Sequence, residues 1–167
     1  MERVEFRKNI SHSLTNLRQS GLQTVSLSET KRGCYGGRNS VIYHLSVKTN
    51  DKPIELRLDH IWGDACAELF TLWYEIKRFD SSVLTENKGR VLQVLWKSTY
   101  PDSNFMLARS SDADLIIGTK LNIEEFNPDK LVELISTLVE SIPHAEKLTK
   151  TYLGYKKHPQ TLERATT

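Results

Sequence analysis

The sequence has few cysteines and no long hydrophobic segment. Cys34 and Cys66 are its two cysteines, and neither belongs to a CxxC pair, which argues against a disulfide framework or a zinc ribbon. No apolar run approaches the ~20 residues that cross a bilayer. The first residues carry both signs of charge and lack the apolar stretch of a secretory signal. We therefore expect a cytoplasmic protein with reduced thiols and no membrane association.

Motifs for catalysis and for metal binding are missing as well. The histidines show no HxH, HxxxH or HExxH spacing, and no GxSxG elbow is present. His60 and Asp64 could meet at one corner, but two ligands leave a metal short of donors. Cys34 lies in a basic loop, where an incidental exposed thiol is the simpler interpretation. We predict no enzymatic activity, no metal and no cofactor.

Charge is distributed unevenly along the chain. The net charge is +2 and the pI about 8.5, too mild to favour nucleic-acid binding. Residues 1–40 carry a net +4, residues 41–140 a net −5, and residues 141–167 a net +3. The basic ends either pack against the acidic middle or form a surface for an acidic partner.

Hydrophobic periodicity predicts an α+β fold with the order α-β-β-β-α-β-β-β-α-α. Its mostly antiparallel sheet has about six strands flanked by helices. The predicted strands centre on residues 22–27, 41–47, 54–58, 92–96, 105–109 and 115–121, and the predicted helices span 3–19, 64–79, 127–142 and 144–156. Pro143 separates the last two helices. Residues 1–158 form one domain, and residues 159–167 form a flexible tail.

The segment KRGCYGGRN, residues 31–39, is a candidate binding loop. It lies between two predicted strands and lacks GxGxxG or GK[ST] spacing, so a long hairpin loop is favoured over a phosphate-binding loop. Arg32, Tyr35 and Arg38 would suit contact with a partner that carries carboxylates or phosphates.

The passage DLIIGTKLNIEEFNPDKLVELISTLVESIPHAEKL, residues 114–148, resembles the carboxy-terminal half of YbjN-like and type III secretion chaperone-like proteins. The resemblance implies a non-enzymatic protein that dimerises and holds a segment of another protein against an apolar groove. Secretion chaperones are acidic, whereas this chain is slightly basic, so the resemblance leaves a more general binding module. A roadblock or longin-like adaptor domain is the alternative architecture.

The predicted second helix supplies the main argument for binding. Phe70 and Trp73 share one side of it, while Leu72 and Tyr74 add apolar surface elsewhere, beyond the ~100° stripe that one sheet face covers. Either other helices cover this surface, or a partner does. We predict a chaperone- or adaptor-like module, homodimeric, that binds another protein through Leu72, Trp73, Tyr74 and the Arg32–Arg38 loop. The alternative is a protein that binds nucleic acid or anionic ligands through that loop and its basic ends.

Overall fold

The computed structural model describes residues 3–19, 23–32, 38–49, 52–63, 66–122 and 127–154. Within these ranges the chain forms three helices and six strands. In chain order they are α1 (Arg3–Gln19), β1 (Gln23–Arg32), β2 (Arg38–Lys48), β3 (Pro53–Gly63), β4 (Cys66–Arg78), α2 (Glu86–Thr99), β5 (Met106–Arg109), β6 (Asp114–Asn122) and α3 (Pro128–Leu153). The predicted domain limit at 158 and the tail lie outside the described residues.

All six strands belong to one sheet, in the order β1-β2-β3-β4-β6-β5, and every described neighbouring pair is antiparallel. This confirms the α+β class and the antiparallel sheet. The register places Tyr43 opposite Leu58, and Leu58 opposite Leu72, so apolar side chains at alternate positions share one face. The element order differs from the predicted one.

The hydrophobic core lies between that face of the sheet and the helices. One continuous cluster joins buried residues of β2, β3, β4, β5 and β6 to Leu17 of α1, Trp96 of α2 and Leu138 of α3. The indole Nε1 of Trp96 donates a hydrogen bond of 3.0 Å to the carbonyl of Phe105, which satisfies its polar atom inside the core. The helices that the structure describes therefore cover the same face. None of them is long and apolar enough to cross a membrane.

Cys66–Arg78 forms strand β4, and the predicted helix near Trp73 is therefore wrong. The apolar residues fit both periods: Phe70, Trp73 and Ile76 are spaced as on a helix, whereas Phe70, Leu72 and Ile76 alternate as on a strand. Strand β4 pairs with β3 on one side and β6 on the other. This pairing on both sides, together with the aromatic residues of the segment itself, favours a strand over a helix.

Glu86–Thr99 forms helix α2, and the predicted strand at residues 92–96 is wrong. Leu92 and Trp96 lie four residues apart and are buried, while Val94 between them is 64% exposed. The hydroxyl of Thr85 accepts a hydrogen bond of 3.3 Å from the backbone N–H of Lys88 and forms an N-cap that was not predicted.

Helix α3 runs unbroken through Pro143, so the predicted break there is wrong. Proline removes one backbone donor from a helix interior. The buried residues Leu138, Ala145 and Thr149 lie on both sides of it and keep one face against the core. The predicted start is confirmed: the side-chain oxygen of Asn127 accepts a hydrogen bond of 2.8 Å from the backbone N–H of Lys130. The predicted first helix at residues 3–19 is also confirmed.

Candidate functional site: the open face of the sheet

The side of the sheet opposite the described helices is called the open face below. Strand alternation and register place Arg57 and Asp59 of β3 on this face, beside Trp73 and Thr71 of β4. The side chains of Arg57 and Asp59 are 28% and 14% exposed, and Trp73 is half-buried. On β2 the same side is more closely covered, since Ile42 is 3% exposed. The accessible part of the open face therefore lies over β3, β4 and β6.

Arg57, Asp59 and Trp73 form a connected cluster at the centre of the open face. Arg57 Nε donates to Asp59 Oδ1 at 2.7 Å, and Trp73 Nε1 donates to Asp59 Oδ2 at 3.2 Å. The guanidinium carbon of Arg57 lies 4.7 Å from the centre of the Trp73 ring, a cation–π contact. Because Arg57 and Trp73 are also cross-strand partners, the backbone and the side chains both hold this pair in place.

Gly118 of β6 lies directly opposite Trp73. A Cβ atom at residue 118 would lie 2.5 Å from the Trp73 Cβ and 2.6 Å from the carbonyl oxygen of Leu72. Both distances are too short for a side chain, so glycine lets β6 approach β4 closely beneath the indole. The position of Trp73 thus depends on a residue in another strand that carries no side chain.

Hydrogen bonds hold the side chains of this cluster in fixed positions. Both carboxylate oxygens of Asp59 accept hydrogen bonds, and these orient Arg57 and Trp73. Tryptophan and arginine are the residues most enriched at the centres of protein interfaces, and a pre-oriented side chain loses less entropy on binding. The arrangement therefore presents a fixed aromatic and cationic surface.

Of the six residues predicted as a binding site, the structure describes the side chains of Leu72, Trp73 and Tyr74. Trp73 lies on the open face, but Leu72 belongs to the opposite face, where it is fully buried, and Tyr74 packs partly buried against the same core. Leu72 and Tyr74 were expected to present apolar surface to a partner. In the structure they pack against the core between the sheet and the helices. The physical reason is the two-residue period of the strand, which sends neighbours to opposite faces.

The strand residues that flank the predicted loop lie away from Trp73. Arg32 ends β1 and Arg38 begins β2, where it pairs with Gly63. Gly63 is six residues from Arg57 along β3, roughly 20 Å in a strand. Tyr35 and Cys34 lie outside the described residues, and the role of the loop stays a prediction.

Sequence reasoning missed Arg57 and Asp59. Their signal was the alternation in PIELRLDHI, where charged residues occupy every second position of a predicted strand. The pattern indicates a polar face but does not say which residues lie beside it in the neighbouring strand. Only the β3–β4 register brings the pair to Trp73.

His60, the candidate metal ligand, faces the core. It is 2% exposed, stacks on Phe70 at 4.5 Å and lies 4.6 Å from the Trp62 ring. The segment after it continues as a strand to Gly63, so the helix predicted to start at Asp64 does not form; Asp64 itself lies outside the described residues. Among the residues that the structure describes, no group of three metal-binding side chains converges.

Compared with models of protein families, with curated protein sequences and with solved structures, the chain gives no match in any of the three. The assignment of function therefore depends on the geometry of the described residues.

Proposed function

We propose that this chain is a non-catalytic protein-binding module, chaperone- or adaptor-like, that forms a homodimer through the open face. The observation that carries the proposal is the difference between the two faces of the sheet. Described helices cover one face, whereas no described helix covers the other, and at the centre of that open face Trp73 is fixed by Arg57 and Asp59. A half-buried tryptophan held in one orientation is a suitable anchor for an interface.

A second copy of the chain is the occupant that the charges favour. In the register, Thr71 lies between Asp59 on β3 and Lys120 on β6. Turning a second copy about an axis along β4 would set Asp59, with its partner Arg57, opposite Lys120 of its twin. Such self-complementarity is the requirement of a two-fold interface.

Size-exclusion chromatography with light scattering tests the proposal across a range of concentrations. We expect a dimer for the wild type and a monomer for Trp73→Ala, because truncation removes the anchor at the centre of the interface. Lys120→Glu should weaken the dimer by placing like charges opposite each other.

Two matched variants control for general effects. Tyr152→Ala removes an exposed aromatic residue from α3, and Lys97→Glu reverses an exposed charge on α2; both should remain dimeric. A wild type that is monomeric at every concentration contradicts the homodimer. Retention on heparin that falls with salt, together with a monomer, would favour the nucleic-acid alternative.

A further inference from the structure

A cleft at the β5 edge of the sheet is lined by two arginines that the proposed function does not use. Its volume is about 320 Å³. Helix α2 forms one wall, and the end of β5 with the turn that follows it forms the other. The polar residues of the lining are Glu86, Arg90, Gln93, Arg109, Ser110 and Ser111.

Arg109 is a half-buried cation with no carboxylate partner among the described residues. Its Nε donates to the carbonyl of Leu84 at 2.7 Å, and its Nη1 donates to the carbonyl of Ser110 at 3.3 Å. These bonds orient the guanidinium and leave further N–H donors available. Arg57 and Arg78 differ, since each forms an ion pair with an aspartate, at 2.7 and 2.8 Å. A fixed cation whose charge is not neutralised favours an anion beside it.

Gly89 allows Arg109 to occupy this position. A Cβ atom at residue 89 would lie 2.7 Å from the Arg109 Cβ, so any larger residue would separate α2 from β5. The next residue of the helix, Arg90, is exposed, lines the same cleft and forms no ion pair with a described carboxylate. The two guanidinium groups outnumber Glu86, the one acidic residue of the lining.

We propose that this cleft binds a phosphate monoester through Arg90 and Arg109. Guanidinium groups donate paired hydrogen bonds to phosphate oxygens, and the hydroxyl of Ser111 and the amide of Gln93 supply additional donors. A phosphate dianion offers more acceptors and more charge than a carboxylate. The volume exceeds that of the phosphate alone and leaves space for the esterified group. This site is separate from the open face and does not depend on dimer formation.

Nuclear magnetic resonance titration of the full chain with phenyl phosphate tests the proposal at constant ionic strength. We expect saturable shifts of the Arg109 Nε–H signal and of the Gly89 and Ser111 amide signals. Arg90→Gln should weaken binding about tenfold, the effect of losing one charge-assisted contact. Glu86→Gln should strengthen it several-fold, since it removes the negative charge of the lining.

Lys97→Gln is the control, because it removes an equal charge from the far end of the same helix and should change the affinity less than about twofold. The proposal is overturned if the wild type shows no saturable shift, or if Lys97→Gln weakens binding as much as Arg90→Gln. It is also overturned if acetate binds as tightly, which indicates a carboxylate site, or if inorganic phosphate binds much more tightly than phenyl phosphate, which excludes the monoester. The Arg90→Gln protein must be folded for its affinity to be compared, and signals outside the cleft that match the wild-type spectrum establish this.

Discussion

The two faces of the sheet differ in what holds their side chains in place. On the helix-covered face, Phe70 and Leu72 of β4 are fully buried and are held by packing. On the open face, Thr71 and Trp73 of the same strand lie beside Asp59 and its hydrogen bonds. One strand therefore contributes to the stability of the fold through one set of alternate residues and to a presented surface through the other.

The largest effect in this comparison is expected on the covered face. Leu72→Ala should lower the free energy of unfolding by about 2–5 kcal/mol, because it leaves a cavity in a closely packed core. Urea denaturation measures the change. Thr71→Ala on the neighbouring position is the control and should cost much less; equal losses would contradict the assignment of faces.

Gly118→Ala should disturb both faces. The new methyl group would meet the Trp73 Cβ and the Leu72 carbonyl, so β6 must separate from β4, at a cost of about 1–3 kcal/mol. The intrinsic tryptophan fluorescence should shift because the indole moves. Gly154→Ala offers a contrast. A Cβ atom at residue 154 would have no neighbour within 4 Å, although the φ of 65° there disfavours alanine. A Gly118→Ala protein with wild-type stability and fluorescence would show that the strands do not approach so closely.

Trp73→Ala should reduce stability less than Leu72→Ala does, by about 1 kcal/mol, because the indole is half-buried and its hydrogen bond is partly exposed to solvent. Its main effect should be on association, measured by light scattering. If stability falls as far as in Leu72→Ala, the indole belongs to the core and the difference between the faces disappears.

The smallest effect concerns Asp80, in the turn after β4. The Ser82 hydroxyl, at 2.6 Å, and the Ser82 backbone N–H, at 2.8 Å, donate to its carboxylate and lower its pKa below the ordinary value of 3.8. The stabilisation is therefore present above pH 3.8 and lost as the pH falls through the lowered pKa. Ser82→Ala should raise the pKa of Asp80 in a carboxyl titration. Ser98→Ala, whose hydroxyl donates to the Val94 carbonyl, should leave it unchanged.

Prediction from sequence succeeded where a local signal was unambiguous. The helix at residues 3–19 and the start of α3 at Asn127 were predicted correctly, since periodicity and a capping side chain act within one element. It failed at 66–78 and 86–99, where apolar residues satisfy a helical and a strand period together. At 86–99 the Thr85 cap is a local signal for the helix. At 66–78 the strand β4 depends on its pairing with β3 and β6.

For the candidate site, Trp73 was named from the sequence for a reason that the structure overturns. Its apolar neighbours Leu72 and Tyr74 lie on the other face, and its polar neighbours Arg57 and Asp59 come from a different strand. A sequence pattern lists the residues on each side of a strand but does not specify which strand lies next to it.

The sequence by itself determined the fold class, the alternation that gives β2 and β3 a core side, and the capped start of the last helix. These features follow from the preferences of residues near each other in the chain. The tertiary structure alone decided that 66–78 is a strand, that Gly118 supports Trp73, and that Arg109 forms no ion pair with a described carboxylate. These depend on contacts between residues far apart in sequence, and local periodicity carries no information about such contacts.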